Sequence, residues 1–297
     1  MKKNFIIIIG IALLFIGCKK ASLDTLGFPS EKLTEYQFEA ATDYELEIPD
    51  EYKLTAADRN LIQLTSIDEA TGESFAIYAV YIGDLSTIAA DTVILYAHGQ
   101  SAHMDNYYSR ATLLANVSGH MNYGVLMMDY RGYGMSEGSS SEAGLSEDVD
   151  ACIDWLIGQG VSAEKTYYYG YSLGCIPLIE RSVNRTDFKP RKLILESPLA
   201  SVANLIESSL FLEVKPSFLS TLEFNNAEQI KKVDAPLMWL HGKIDDYVAI
   251  QNGELIFENH SGPKVAYRVD GANHSDIPEI MGFETYINNV TAFIQDF

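Results

Sequence analysis

One serine of the sequence stands where it could act as a nucleophile. Ser172 is the centre of Gly170-Tyr171-Ser172-Leu173-Gly174, which follows the apolar run 166–169 and precedes a segment with helical spacing. Glycine at both ends allows a sharp turn from a strand into a helix, because a Cβ atom there would collide with neighbouring backbone. Such a turn exposes the serine Oγ, and the N-terminus of the next helix favours negative charge beside it. The pattern therefore predicts a nucleophilic serine at position 172.

A serine nucleophile needs a histidine base and a carboxylate that orients the histidine, because its hydroxyl is a poor nucleophile at neutral pH. Asp245 and His274 each follow an apolar run, so both are expected on loops directly after strands. The order Ser172, Asp245, His274 along the chain is the order expected for a serine held on a strand-to-helix turn. Asp246 stays a second candidate for the acid. His260 precedes its strand and is expected at the surface.

Acyl transfer also places negative charge on a substrate oxygen, and two backbone N–H groups must bind that oxygen. The residue after the nucleophile, Leu173, is expected to supply the first N–H. Gln100 is expected to supply the second, because it lies in Tyr96-Ala97-His98-Gly99-Gln100-Ser101 after an earlier apolar run. His98 and His103 lie nearby, but no acidic residue or cysteine has the spacing of a metal site. We therefore expect neither a metal nor another cofactor.

Apolar runs separated by turn residues predict the sheet that must position these residues. The first two runs alternate in polarity and predict an antiparallel hairpin, whereas the later runs are continuous, as in parallel strands covered on both faces. Helical spacing lies between the later runs and is clearest over 146–157, where Asp148, Asp150 and Asp154 are expected to face solvent. We predict an α/β domain with an eight-stranded, mostly parallel sheet and helices on both faces, which binds ligands at the carboxyl ends of its strands. The predicted strands are 61–67, 75–82, 92–96, 124–128, 166–169, 192–195, 237–240 and 265–269.

The N-terminus has the pattern of an export signal. Two lysines precede an apolar run over 5–16, which is too short to cross a bilayer comfortably. Gly17-Cys18 at its end resembles the bacterial lipobox, which implies a signal peptide over 1–17, lipidation of Cys18 and a lipid anchor on the periplasmic face of a cell-envelope membrane. A plain secretory signal or a single-span anchor stays an alternative. Residues 18–45 are largely polar without a sustained period, which predicts a tether.

Composition limits the partners and the number of domains. The chain contains 41 acidic and 21 basic residues and has a net charge of −20, which disfavours nucleic acid and anionic headgroups as partners. Residues 46–297 are enough for one α/β domain with a complete core. Besides Cys18, the sequence has only Cys152 and Cys175, which could form one disulfide in an oxidising compartment.

A family resemblance rests on the serine pentapeptide and on Asp129-Tyr130-Arg131-Gly132-Tyr133-Gly134-Met135-Ser136-Glu137-Gly138, which follows a predicted strand. Together they resemble the α/β-hydrolase superfamily, in its ABHD-type branch of single-domain serine hydrolases. The Gly-rich run itself is expected to support the fold, without a catalytic residue. Where the branch usually has a small residue, commonly glycine, this chain has Cys175. The resemblance implies a short cap over about 199–233, whose apolar side chains line the cleft.

The resemblance implies cleavage of a carboxylic ester, a thioester or an amide through an acyl-enzyme on Ser172. His274 would transfer the proton, Asp245 would orient the imidazole, and the N–H groups of Gln100 and Leu173 would bind the oxyanion. The expected substrate is a small-molecule or lipid ester. An aminopeptidase-like peptidase, which needs an acidic pocket for a substrate amine, stays open, as does acyl transfer to an alcohol. A non-catalytic binding lipoprotein would be marked by a serine that never becomes acylated.

Overall fold

Eight strands form one sheet in the computed structural model, which describes residues 31–38, 46–204 and 222–296. Their spatial order is β1-β2-β4-β3-β5-β6-β7-β8. Strands β1 and β2 pair antiparallel, as do β2 and β4, and every other neighbouring pair is parallel. The strands are β1 Arg59–Ile67, β2 Ser74–Ile82, β3 Val93–Ala97, β4 Gly124–Met128, β5 Thr166–Tyr171, β6 Lys192–Glu196, β7 Leu237–Gly242 and β8 Lys264–Val269. The predicted fold class and all eight strands are confirmed.

Helices cover both faces of the sheet. Those of the described ranges are α1 Met104–Ala115, α2 Glu142–Gly158, α3 Cys175–Asn184, α4 Asn226–Gln229, α5 Gln251–Asn259, α6 Ile277–Met281 and α7 Phe283–Asp296. Helices α1, α6 and α7 contribute to one apolar core, and α2, α3, α4 and α5 to the other. Along β3, Leu95 enters one core while Ile94 and Tyr96 enter the other, because successive side chains of a strand point to opposite faces. Continuous apolar runs in the sequence follow from this burial on both sides.

Two expectations about individual side chains are wrong, and one open possibility is not realised. Asp148 of α2 is buried and does not face solvent. Its Oδ1 accepts a hydrogen bond of 2.9 Å from Nε of Arg131, which lies in the Gly-rich run 129–138 after β4. His260, which directly follows the last residue of α5, is also buried. Cys152 and Cys175 are both buried free thiols, so the possible disulfide between them is not formed.

Part of the predicted tether 18–45 lies on the domain. Residues 31–38, which we call the N-terminal strap, are described and contact the sheet and α1. The Phe38 ring is buried at 4.9 Å from the Tyr108 ring, and the Arg59 guanidinium lies 4.8 Å from the centre of Phe38. Aromatic side chains that find apolar partners hold this stretch against the domain, so the polar average of the segment hides its packing.

Several sequence predictions lie outside the described residues. These are the signal peptide 1–17, the lipidation of Cys18, and the middle of the cap, since residues 205–221 are not described. Within the described ranges, no helix has the length and hydrophobicity that a membrane span needs.

Buried tyrosines should make the fold sensitive to alkali. Burial raises the pKa of six of them above the ordinary value, so they keep their protons in the folded chain, whereas an unfolded tyrosine ionises near pH 10. Their contribution to stability is present below about pH 10 and is lost as pH rises, at about 1.4 kcal/mol per pH unit for each retained proton. The six are Tyr81, Tyr130, Tyr133, Tyr168, Tyr169 and Tyr286.

We therefore expect the free energy of unfolding in urea, followed by circular dichroism, to fall steeply above about pH 10. Most of the phenolate absorbance should appear together with the loss of ellipticity. Full phenolate absorbance from a chain that still has its native ellipticity would contradict this expectation.

Candidate active site

A strained turn presents Ser172 at the end of β5. Ser172 has a φ of +51°, in the left-handed region that a non-glycine residue adopts only at a cost. A Cβ atom at Gly174 would lie 1.9 Å from the carbonyl oxygen of Ala97, and one at Gly170 would lie 2.8 Å from the Cα of Cys175. Both positions therefore require glycine, for the reason that the sequence pattern suggested. Helix α3 begins directly after this turn.

The structure brings the three predicted triad residues together. The Ser172 hydroxyl lies 2.9 Å from His274 Nε2, and His274 Nδ1 lies 2.8 Å from Asp245 Oδ2. Asp245 is on the loop after β7 and His274 on the loop after β8, as expected. The rival acid, Asp246, instead donates its backbone N–H to Asn273 Oδ1 at 3.1 Å. Serine, histidine and carboxylate thus form a continuous hydrogen-bonded series in which proton transfer from the serine to the histidine is geometrically possible.

The Asp245 carboxylate is held in its charged form. Its Oδ1 accepts the backbone N–H groups of Tyr247 and Val248 at 3.0 and 2.7 Å, and its Oδ2 lies 3.2 Å from His241 Nε2. Burial alone would raise the pKa of Asp245, but hydrogen bonds from His241 and His274 outweigh burial and lower it below the ordinary range. A charged acceptor fixes the proton of His274 on Nδ1, which leaves Nε2 able to take the proton of the serine.

His241 is a part of the site that sequence reasoning missed. It is fully buried, and its Nδ1 accepts the indole N–H of Trp239 at 3.2 Å, so its proton must be on Nε2. That proton is directed at the carbonyl of Val248, 2.9 Å away, and at Asp245. The only signal in the sequence was its place four residues before the acid, which does not show where the ring points.

A buried ion pair contacts the loop after β8, which carries His274. Arg110 of α1 pairs with Glu196 at the end of β6 and donates from Nη2 to the carbonyl of Ser275 at 2.9 Å. The hydroxyl of Ser197 donates to the carbonyl of His274 at 3.2 Å. Two successive carbonyls of this loop are therefore held by side chains from other elements. Sequence reasoning missed this group as well, since the pair is 86 residues apart along the chain.

Replacing Arg110 with methionine should lower the free energy of unfolding by about 3–5 kcal/mol, because the Glu196 carboxylate would be left buried without its cation. The measurement is the urea midpoint and slope at neutral pH. The double variant Arg110→Met/Glu196→Leu should recover part of the loss, since it removes both charges. A loss below about 1 kcal/mol in the single variant would show that the pair is not needed for stability.

The loop after β3 places Gln100 beside the triad. The Tyr107 hydroxyl donates to the Gln100 carbonyl at 2.7 Å, and the Tyr247 hydroxyl donates to Gln100 Oε1 at 2.6 Å. Ser101 and Ala102 follow with φ values of 71° and 55°, so the loop bends sharply there. Gln100 lies on the wall of the same cavity as Ser172. The assignment of the Gln100 and Leu173 N–H groups to an oxyanion stays a prediction.

The cavity at the triad has a volume of about 240 Å³. Aromatic and polar side chains bound it, among them Gln100, Tyr107, Tyr171, Ser172, Tyr247 and His274. A larger cavity of about 450 Å³, bounded in part by Glu142, Glu180 and Glu223, contains no triad residue. The smaller cavity is the candidate site of chemistry, because the predicted nucleophile and the predicted base both lie on its wall.

The histidines near Gln100 have structural partners. His98 is buried, with Nδ1 at 2.8 Å from the carbonyl of Gly99 and Nε2 at 3.1 Å from Asp129 Oδ1. His103 lies 3.9 Å from the Asp105 carboxylate. In the part of the chain that the structure describes, no group of three or more His, Cys, Asp or Glu side chains is placed to hold a metal ion.

Known proteins resemble the chain in sequence and in fold. A family model described as serine aminopeptidase, S33, matches residues 88–230. The α/β hydrolase domain-containing protein 17B of Xenopus laevis is 27% identical over 207 residues, which cover 69% of this chain and 67% of that protein. An uncharacterized protein of Mycobacterium tuberculosis is 31% identical over 189 residues, which cover 63% of this chain and 65% of that protein.

Solved structures share the fold at low sequence identity. An esterase of Pyrococcus furiosus has a TM-score of 0.61 at 17% identity and covers 82% of this chain and 96% of its own. An esterase of Rhodococcus sp. ECU1013 has a TM-score of 0.58 at 18% identity and covers 80% of this chain and 98% of its own. The sheet order and the serine turn agree with these solved structures, and the chain has the α/β-hydrolase fold.

Proposed function

We propose that the protein is a serine hydrolase that cleaves a carboxylic ester through an acyl-enzyme on Ser172. One observation carries this proposal: His274 lies within hydrogen-bonding distance of the Ser172 hydroxyl on one side and of the Asp245 carboxylate on the other. A thioester or an amide would be attacked by the same groups. The esterases among the structural neighbours are consistent with an ester, although at their identity they show only the fold.

The reaction follows from the positions of these atoms. Ser172 Oγ attacks the acyl carbon while His274 Nε2 takes the hydroxyl proton, and the N–H groups of Gln100 and Leu173 bind the oxyanion. The intermediate collapses, the bond to the alcohol breaks, and the alcohol leaves with the proton from His274. Water then attacks the acyl-enzyme with His274 as base, which releases the acid and restores the serine.

The cavity favours a compact acyl group. Its volume of about 240 Å³ lies below the range of roughly 300–1,000 Å³ typical of pockets that enclose drug-sized ligands. Tyrosine hydroxyls and amide groups on its wall can also form hydrogen bonds with a polar acyl group. A short or polar acyl chain therefore fits the described walls better than the acyl chain of a lipid ester, which the sequence also allowed.

A peptidase is the second candidate, favoured by the description of the matched family model. The cavity beside Glu142, Glu180 and Glu223 is acidic, which suits a cationic group, but it contains none of the triad residues. A substrate amine held there would have to belong to a peptide long enough to reach Ser172. We rank this activity below ester cleavage for that reason.

The test is covalent labelling of the purified full-length protein with a fluorophosphonate probe, read by intact mass. The parent and a variant of the exposed serine, Ser162→Ala, should each gain one label, and Ser172→Ala should gain none. Unlabelled parent protein would next be compared on p-nitrophenyl esters of graded chain length and on aminoacyl anilides. An unlabelled but folded parent would remove the acyl-enzyme proposal and favour a binding role for the scaffold.

We also propose that Cys18 is lipidated after removal of residues 1–17 and holds the domain at a bacterial cell-envelope membrane. Its support is the position of Cys18 at the end of the apolar run. Metabolic labelling with an alkyne fatty acid should mark the parent and not Cys18→Ser. Equal labelling of both would remove the anchor from the proposal.

A further inference from the structure

The N-terminal strap runs along the Gly-rich loop that follows β4. Gly134 of that loop donates its N–H to the Glu31 carbonyl at 2.8 Å and accepts the N–H of Leu33 at 2.9 Å. Further along the strap, the N–H of Gln37 donates to the Asp105 carboxylate at 2.7 Å. The strap is thus bound through its backbone at both ends. These contacts lie at the carboxyl edge of the sheet, where β4 ends and α1 begins.

Tyr36 reaches from the strap to a buried carboxylate. Its hydroxyl donates to Asp129 Oδ2 at 2.7 Å and accepts the N–H of Met135 at 3.1 Å. A Cβ atom at Gly134 would lie 2.1 Å from Asp129 Oδ2 and 2.6 Å from the Tyr36 hydroxyl, so this contact requires glycine there. Asp129 is fully buried, and a buried carboxylate oxygen that loses its donor is costly.

The other oxygen of Asp129 contacts both ends of the loop that carries Gln100. Asp129 Oδ1 lies 3.1 Å from His98 Nε2 and accepts the N–H of Met104 at 2.9 Å. One carboxylate therefore contacts both ends of the segment 98–104. The segment needs such support, because two of its non-glycine residues, Ser101 and Ala102, have positive φ values, which are strained for residues with a Cβ atom.

The ring of His98 continues this support toward Gln100. It stacks on the Tyr107 ring, with 4.6 Å between the centres and 19° between the planes. The hydroxyl of Tyr107 in turn donates to the Gln100 carbonyl. A continuous series of contacts leads from the strap through Asp129 and His98 to the peptide unit that follows Gln100.

We propose that Tyr36 is a positioning residue: by holding Asp129, it fixes the segment 98–104 and with it Gln100. The strap is then part of the catalytic domain, and its removal with the tether would loosen the site. Only the consequence for catalysis rests on the proposed function, since that function assigns the Gln100 N–H to the oxyanion. The hold on the segment does not depend on it.

The first experiment is hydrogen–deuterium exchange of the full-length protein with Tyr36→Phe, which keeps the ring and removes the hydroxyl. Peptides that cover 98–108 should exchange about tenfold faster, because the Asp129 carboxylate that accepts the Met104 N–H is no longer fixed. Peptides from β6 and β7 should not change. The control is Tyr52→Phe, whose ring lies beside Phe283 and away from the segment. Unchanged exchange over 98–108, or faster exchange everywhere, would overturn the proposal.

The second experiment measures ester hydrolysis by the same variants. Tyr36→Phe should lower kcat about tenfold with little change in KM, which is less than the 10²–10³-fold typical of losing one oxyanion donor. Parental kcat together with faster exchange over 98–108 would overturn the positioning role. If the parent neither labels nor hydrolyses, the proposed function fails, and exchange alone decides whether the strap holds the segment.

Discussion

Replacing Ser172 with alanine is expected to lower kcat for ester hydrolysis by at least about 10⁴-fold, because it removes the hydroxyl that lies 2.9 Å from His274 Nε2 and would form the acyl-enzyme. The fold should be retained, because alanine keeps the Cβ atom of serine and tolerates the φ of +51° no worse than serine does. Initial rates on a short-chain p-nitrophenyl ester, corrected for the spontaneous reaction, give the measurement.

The activity that remains in Ser172→Ala shows whether Ser172 or another residue is the nucleophile. A remaining rate that is insensitive to fluorophosphonate is what binding and oxyanion stabilisation alone would leave. A rate within about tenfold of the parent would mean that another residue is the nucleophile and that the geometry at Ser172 is incidental.

Asp245→Asn should lower kcat by about 10⁴-fold, the size of effect known when a triad carboxylate becomes an amide. Asparagine is nearly isosteric, but it has no charge to stabilise the imidazolium, and its amide N–H groups can direct the histidine into the wrong tautomer. KM should change little, since Asp245 is buried behind His274 and away from the cavity.

Asp246→Asn is the matched control, because it makes the same chemical change one residue further along the chain. Its carboxylate has no part in the triad geometry, so its kcat should stay within about threefold of the parent. The reverse ranking, with Asp246→Asn severely impaired and Asp245→Asn active, would show that the acid is misassigned.

The stability of the parent and that of Asp245→Asn should change differently as the pH falls. The pKa of Asp245 is lowered in the folded protein, so the stability that it contributes is present above its ordinary pKa of 3.8 and is lost as pH falls below that value. The parent should therefore lose more stability than Asp245→Asn between about pH 4 and pH 2.

The sequence was sufficient to predict the frame of the site. Strands buried on both faces leave continuous apolar runs, and in a parallel sheet the residues after such runs meet at one edge. Ser172, Asp245 and His274 each follow a run, so their meeting could be expected without knowing any distance. The preference for Asp245 over Asp246 agrees with the geometry, because the Asp245 carboxylate is the one that contacts His274 Nδ1.

The sequence was not sufficient to predict the charged and polar support of the site. Asp148 lies on what looks like the polar side of a helix, yet it is buried against Arg131, whose place in a turn gave no hint of the pairing. Arg110 and Glu196 are likewise joined only by the folded chain. Periodicity reports how polar a face is on average and cannot identify a charge that is buried because a distant partner neutralises it.

The strap was misjudged for a related reason. Tyr36 and Phe38 are two aromatic residues within a polar segment, and composition averages over both. The Tyr36 hydroxyl binds Asp129, 93 residues further along the chain, and the Phe38 ring packs against Arg59 and Tyr108, so neither set of partners is visible in the local sequence.

The order of the strands also determines when the protein can become active. Ser172 precedes His274 by 102 residues, and β8, whose loop carries the histidine, pairs with β7 at one edge of the sheet. A chain still under synthesis holds the serine turn long before its base exists, because domains are made from the N-terminus. We therefore expect chains that end before the loop after β8 to lack the proposed activity, because they have the serine turn without His274.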